Sequence, residues 1–292
     1  MKIRKAVIPA AGVGTRMLPF TKTVPKELLP LVDKPVLHFI VQEAVDSGVE
    51  DVILITSPGK TAMDDYFRPA PELEAFLRAK GKDKEADAVK YAGEMARFTF
   101  VEQAEQRGLG HAVWCARDAV GDEPFGILLG DDIMANRGKP VLRQLIEASE
   151  EFAGGAIACR EVDDEHVVKY SSLKISPLKE RVYRIHDMNE KPTLAEKLSN
   201  HAILGRYVLP PEIFPILGET PPGRNNEIQL TDGMRRLCAE KPMVAVDFEG
   251  TRYDTGNPKD YITTFMEFAL ADPEVGGWAR DYILKKAREL QG

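Results

Sequence analysis

Cysteine, histidine and excess positive charge are what this chain has little of, and each shortage removes a class of function. Three cysteines, Cys115, Cys159 and Cys238, lie far apart in 292 residues with no Cys-x-x-Cys spacing, so neither a disulfide framework nor a thiolate zinc site is expected. They are expected to be buried, reduced thiols. Five scattered histidines without His-Glu-x-x-His exclude the common catalytic zinc pattern. Lys and Arg number 39 against 46 Asp and Glu, a formal net charge of −7, whereas proteins that bind nucleic acid or anionic membranes carry the opposite excess. An anionic small molecule must therefore be met by a local group of cations. No apolar run approaches the ~20 residues of a membrane span, and the run in "MKIRKAVIPAAG" is soon broken by Pro9 and glycines. The expectation is a cytoplasmic globular protein, partnered by neither nucleic acid nor membrane.

What the chain does have is short apolar runs, "KAVIPAA" (5–11), "DVILITS" (51–57), "FTFVEQ" (98–103) and "FGILLGDD" (125–132), alternating with helical patterns. In the first such pattern, 35–48, Leu37, Ile40, Val41, Ala44 and Val45 recur at three-to-four spacing and Gly48 is a stop signal. Continuous apolar strands between helices predict a parallel sheet covered on both faces. Residues 71–96 are charged and helical in composition with Gly81 in the middle, which predicts two surface helices. Further on, "SSLKISPL" and "RVYRIHDMNEKP" carry the punctuation of antiparallel strands, followed by the apolar run "HAILGRYVL" (201–209). Asn257-Pro258 reads as an N-cap with proline in the first helical turn, opening the C-terminal helices.

The stretch "PAAGVGTRMLPFTKTVPKELLP" (9–30) follows the first strand directly. It has the glycines of a phosphate loop but neither Gly-Lys-Ser/Thr nor a third glycine, since Met17 stands where a dinucleotide loop would place one. Gly12 and Gly14 allow close approach of backbone to a nucleotide at the carboxyl end of a parallel strand. Arg16 and Lys26 add a guanidinium fork and a point charge, and Pro19, Pro25 and Pro30 keep the segment from becoming helix. Asp131 ends the run "FGILLGDD", so its carboxylate projects beyond the end of a strand; Asp132 is the neighbouring candidate, ranked below it because its side chain should point to the other face, with a turn or helix-capping role as the plain alternative.

Together with "EQRGLGHAVWCA" (105–116), "LLGDD" (128–132), "NEKP" (189–192), "NHAILGRYVL" (200–209), "NEIQLTD" (226–232) and "RYDTGN" (252–257), this stretch resembles the nucleoside-diphosphate-sugar pyrophosphorylases, most closely their bacterial uridylyltransferase branch. The resemblance covers most of the chain in family order. It implies a Rossmann-like nucleotidyltransferase fold with a mixed, mainly parallel sheet and a smaller sugar-binding lobe. A single domain is expected, with a nucleotide-binding half (1–135), a sugar-phosphate half (136–257) and C-terminal helices (258–292).

The implied reaction joins UTP and glucose 1-phosphate to give UDP-glucose and pyrophosphate, assisted by magnesium. Thymidylyl transfer from dTTP and a non-catalytic sugar-nucleotide sensor are the alternatives. Carried over by motif, Ala10, Ala11, Gly12, Gly14, Glu27, Gln103 and Gly108 surround the nucleotide. Arg16, Lys26 and Lys191 act on the phosphates, and Asp131 and Asp254 hold the metal. Glu190 accepts from sugar hydroxyls while Lys191 holds the sugar phosphate. The chain departs from the family pattern at Ser171 and Asn226, both in place of glycine, and at His201. Ser171 is expected to narrow the sugar pocket or alter its preference. The resemblance also implies a homodimer or homotetramer.

Overall fold

The computed structural model describes residues 2–136 and 138–291. Its strands are β1 (Lys5–Pro9), β2 (Pro30–Leu31), β3 (Lys34–Pro35), β4 (Asp51–Thr56), β5 (Arg97–Glu102), β6 (Phe125–Leu128), β7 (Asp132–Ala135), β8 (Gly155–Glu161), β9 (Ser171–Lys179), β10 (Val182–Glu190), β11 (His201–Leu209), β12 (Met243–Asp247) and β13 (Thr251–Asp254). Nine of them form one sheet in the order β5-β4-β1-β6-β11-β8-β12-β10-β9, and β7 pairs separately with β13. β5, β4, β1 and β6 are parallel neighbours, as are β8 and β12, while β11 and β10 run against the rest. The sheet is thus mixed, with seven of its nine strands running in one direction.

Side-chain alternation explains why its inner strands read as unbroken apolar runs. On β1, Ala6 and Ile8 pack toward a layer that includes helices Val36–Asp46 and Val141–Phe152. Val7, on the opposite face, packs with residues of helices Leu109–Cys115, Ile213–Glu219 and Leu230–Glu240. Both faces are covered, so neither needs polar residues. The β9–β10 hairpin projects past this cover, and its outer residues are accordingly polar and exposed.

Helix Val36–Asp46 buries Leu37, Ile40, Val41 and Ala44, with Val45 only partly covered, and Gly48 follows in a left-handed conformation (φ 95°). The charged excursion forms helices Pro71–Ala79 and Asp83–Glu94, with Gly81 at φ 71° between them. Asn257 caps Pro258–Ala271 by accepting from the Asp260 N–H. All three cysteines are free, but only Cys159 is fully buried; burial pushes its thiol up to about 12, while Cys115 and Cys238 are half-buried. Among the described residues no helix is long and apolar enough to cross a membrane.

Candidate active site

The site lies along the carboxyl ends of β1, β4 and β6, where the chain leaves the sheet. After β1 the prolines do exclude α-helix, yet the segment is not featureless: it turns through three short 3-10 helices, Thr15–Met17, Phe20–Lys22 and Lys26–Leu28. Gly14 begins the first at φ 68°, held by the Thr21 hydroxyl donating to its carbonyl (2.8 Å). The third brings Lys26 back to the end of β6, where Lys26 Nζ lies 2.5 Å from Asp131 Oδ2. Arg16 remains exposed on the first turn, outside the cleft wall, with no ion pair to another described residue.

A cleft of about 330 Å³ opens between this turn and the segment 103–112, lined by Ala11, Gly12, Lys26, Glu27, Gln103, Gly108 and Asp131. Ala10 is buried behind it, its N–H bonded to the Ile55 carbonyl. Two side chains outside the sequence expectations shape the wall. Gln106 Nε2 donates to the Ala11 carbonyl (2.7 Å), and Lys60 Nζ, from the turn after β4, donates to the Gly12 carbonyl (2.6 Å). The Gln103 amide nitrogen faces the Gly108 carbonyl (3.2 Å) and His111 Nδ1 (3.0 Å), which leaves its oxygen as the acceptor for a ligand. Gly108 is required by packing: at φ 104°, a Cβ there would meet Glu227 Cβ at 2.7 Å and Ile228 O at 2.8 Å.

A second hollow of about 230 Å³ continues the first through shared walls at Leu109, Leu129 and Glu227. Here stand Ser171, Glu190, Lys191, Tyr170, Thr231, Asp132 and Arg252. Register brings Ser171 opposite Glu190 on the β9–β10 pair. Lys191 follows at φ 43°, its ammonium 3.7 Å from Glu190 Oε1. Ser171 is part of the wall, its hydroxyl turned to Glu190 Oε2 and 2.9 Å from the Thr231 hydroxyl. The Asn226 departure has a backbone reason, because Asn225 and Asn226 sit at φ 60° and 59°, where asparagine is the usual substitute for glycine. His201 begins β11 with its ring 5.2 Å from that of Tyr183 and lines neither hollow.

Between the hollows lies an acidic cluster. Asp131 Oδ2 and Asp254 Oδ1 lie 2.9 and 3.0 Å from where a Cβ on Gly256 would stand, so the missing side chain lets both carboxylates meet at one point. Thr255 fixes the Asp131 carbonyl through its N–H and hydroxyl, each 2.8 Å, and the Gly256 N–H donates to Asp254 Oδ1 at 2.7 Å. Asp132 is neither turn nor helix cap: it opens β7, is buried, and pairs with Arg252 Nη2 at 2.6 Å. Behind it the fully buried Arg206 donates to both Glu43 carboxylate oxygens and to the Asp132 carbonyl (2.7 Å), pinning the turn that presents Asp131.

These surroundings drive neighbouring carboxyls in opposite directions. Burial works to raise Asp131, but the Lys26 ammonium outweighs it and holds the group below the usual range. Burial raises Asp132, with Asp131 and Asp254 adding to the rise against Arg252. Burial pushes Glu27 up to about 7 despite Lys26 and Lys60, and its Oε2 has no hydrogen-bond partner among the described residues. Lys26 stays above its ordinary value because Asp131 and Glu27 outweigh its own burial.

Residues 5–270 match the family model described as nucleotidyl transferase. The chain belongs to the nucleotidyl transferase family. It is 47% identical over 274 residues to a UTP–glucose-1-phosphate uridylyltransferase of Bacillus subtilis (strain 168), covering 94% of each chain. Among solved structures of this family, a UTP-bound enzyme of Acinetobacter baumannii superposes with a TM-score of 0.89 at 33% identity, covering 97% of this chain and 99% of that one. A UDP-glucose pyrophosphorylase complexed with UDP-glucose gives 0.85 at 39% identity, covering 93% and 100%. Among the residues that the motifs did not single out, Gln106, Glu227, Thr231 and Arg252 lie inside quoted motifs and were findable by position. Lys60 carries only the weaker signal of a turn after a parallel strand.

Proposed function

We propose that the chain is a UTP–glucose-1-phosphate uridylyltransferase, releasing pyrophosphate as it forms UDP-glucose. The observation that supports this best is the continuous pair of hollows, each with its own lysine–carboxylate pair, Lys26–Asp131 at one and Lys191–Glu190 at the other. Two anionic substrates can therefore be held side by side. The sugar phosphate is already an anionic nucleophile, so an in-line attack on the α-phosphorus needs positioning and charge neutralisation rather than a general base.

In this reading Ala11, Gly12, Gln103 and Gly108 hold the nucleotide, and Gln103 accepts from the uracil ring N–H through its free oxygen. Lys26 exchanges Asp131 for triphosphate oxygens, and Lys191 holds the phosphate of the sugar whose hydroxyl Glu190 accepts. Exposed Arg16 meets the leaving pyrophosphate. The convergence of Asp131 and Asp254 on Gly256 fits a hard divalent cation, magnesium in this proposal. Among the described residues no third His, Cys, Asp or Glu joins them, which leaves the remaining positions to phosphate and water. When bound, the ion supplies charge neutralisation at the phosphate oxygens. Exposed Trp278, Tyr282 and Leu290 on helix Gly276–Gln291 support the proposal of a homo-oligomer, which sedimentation at micromolar concentration tests.

The direct test is pyrophosphate release with magnesium, comparing UTP with dTTP and glucose 1-phosphate with galactose 1-phosphate and no sugar. Release confined to UTP with glucose 1-phosphate is expected. Preference for dTTP or for another sugar would overturn the substrate assignment, and no release from any pair would leave only a binding protein on this fold.

A further inference from the structure

At the sugar end of the cleft, side chains from three elements converge on one carboxylate oxygen. Ser171 opens β9, Glu190 ends β10, and Thr231 lies in the first turn of helix Leu230–Glu240. Glu190 Oε2 accepts from the Ser171 hydroxyl and from the Thr231 hydroxyl (2.7 Å), and the two hydroxyl oxygens are 2.9 Å apart. Ser171 and Thr231 are buried, at 7% and 6% exposure, so water does not substitute freely for either donor. The remaining oxygen, Oε1, lies 3.7 Å from the Lys191 ammonium.

We propose that Ser171 and Thr231 are positioning residues that clamp Glu190 and thereby set selectivity among epimeric sugar 1-phosphates. The inference rests on the functional reading above and extends it to this chain's own departure at residue 171. A carboxylate turns broadly about its terminal torsion and offers two equivalent oxygens, so an unclamped Glu190 can follow a hydroxyl displaced by epimerisation. With Oε2 fixed by two donors, only Oε1 remains for the sugar, in one plane. An epimer whose hydroxyl points elsewhere then leaves a desolvated charged acceptor unpaired, the strongest source of discrimination that a polar pocket has. A residue without a hydroxyl at position 171 would leave Thr231 as the single donor and allow the carboxylate to turn.

The test uses Ser171→Ala, Thr231→Val and Thr231→Ser in the full chain. Pyrophosphate release is measured with UTP and glucose 1-phosphate, galactose 1-phosphate or mannose 1-phosphate. Loss of one hydrogen bond to a charged group predicts about a tenfold rise in KM for the preferred sugar phosphate and a similar fall in the selectivity ratio for Ser171→Ala and Thr231→Val. Thr231→Ser keeps the hydroxyl and the wild-type ratio. KM for UTP stays within twofold of wild type, which a general structural defect would not allow, while the unfolding midpoint falls only by the few degrees that one lost buried hydrogen bond costs. An unchanged ratio in both hydroxyl-less variants, or a KM for UTP that rises equally, overturns the clamp while leaving the activity intact. No turnover by the unaltered protein with any sugar phosphate overturns the functional reading, and this inference with it. A wild-type preference for a sugar other than glucose corrects the substrate, and the same ratios then test the clamp.

Discussion

Replacing Glu27 by glutamine should change how stability depends on pH, in a direction set by the buried carboxyl. Glu27 is 1% exposed, and its Oε2 lacks a hydrogen-bond partner among the described residues even though Lys26 and Lys60 are near enough to favour the charged form. Burial wins, and the group titrates at about 7 instead of 4.5. At 1.36 kcal/mol per pH unit that gap corresponds to about 3 kcal/mol. Because the folded value is the higher one, the stabilisation is fully present below 4.5 and is lost as pH rises through about 7. Glutamine cannot titrate. Urea unfolding of both proteins between pH 4.5 and 8, followed by circular dichroism at constant ionic strength, should therefore show Glu27→Gln gaining on wild type by about 3 kcal/mol across the window and levelling above it. A packing difference between amide and carboxyl shifts the whole curve and leaves that slope untouched. Parallel curves, or wild type gaining as pH rises, would refute the assignment of a buried, proton-holding Glu27.

Three further outcomes are expected. Lys26→Ala should lower turnover by ~100-fold or more, as removal of one preorganised electrostatic group does, and near-normal kcat would remove Lys26 from the mechanism. Arg206→Met should cost about 3–5 kcal/mol in chemical unfolding, because it strips the buried Glu43 carboxylate of its guanidinium; a loss under 1 kcal/mol would show that Glu43 is otherwise satisfied. Gly108→Ala combines a left-handed backbone with contacts at 2.7 and 2.8 Å to residues 227 and 228, so a loss of about 2–3 kcal/mol and weaker binding of UTP should appear together.

Much of the sheet and its helices is legible in the sequence because both depend on local pattern. The runs at 5–11, 51–57 and 98–103 became β1, β4 and β5, and the three-to-four spacing of Leu37, Ile40 and Ala44 became a buried helix face. The run 125–132 was less complete: β6 stops at Leu128, and Asp132 opens a different ribbon because Arg252, 120 positions later, pairs with it. Such partners are invisible to periodicity. The same holds for Ser171, whose effect depends on the orientation of its hydroxyl toward Thr231, 60 residues away, and for Lys60, which no motif marked. Asp131 and Asp254 could be named individually from motifs, but their meeting over Gly256 follows only from the β7–β13 pairing, which sets Asp254 opposite Asp132.

The charge arrangement shows how a chain of net charge −7 can receive two anions. Its cleft lysines are not left as bare positive charge: Lys26 pairs with Asp131, Lys191 approaches Glu190, and Lys60 donates to the Gly12 carbonyl. Held this way, the largely covered Lys26 ammonium avoids much of the desolvation cost of an unpaired charge. The same pairing sets a condition for binding, because a phosphate must offer each lysine at least as good a partner as the one it leaves. In the proposed reading a triphosphate accompanied by a divalent cation would meet that condition at Lys26, since the cation would partner the carboxylates of Asp131 and Asp254 as the ammonium departs. A triphosphate alone would not, because it would leave the partly covered Asp131 beside Asp132 and Asp254 with Arg252 as the remaining cation. Nucleotide affinity should therefore depend on metal in the wild type and lose much of that dependence in Asp131→Asn, where no carboxylate is left stranded. Calorimetric titration of UTP with magnesium and with a chelator measures both cases, and equal affinity in wild type under the two conditions would contradict the exchange.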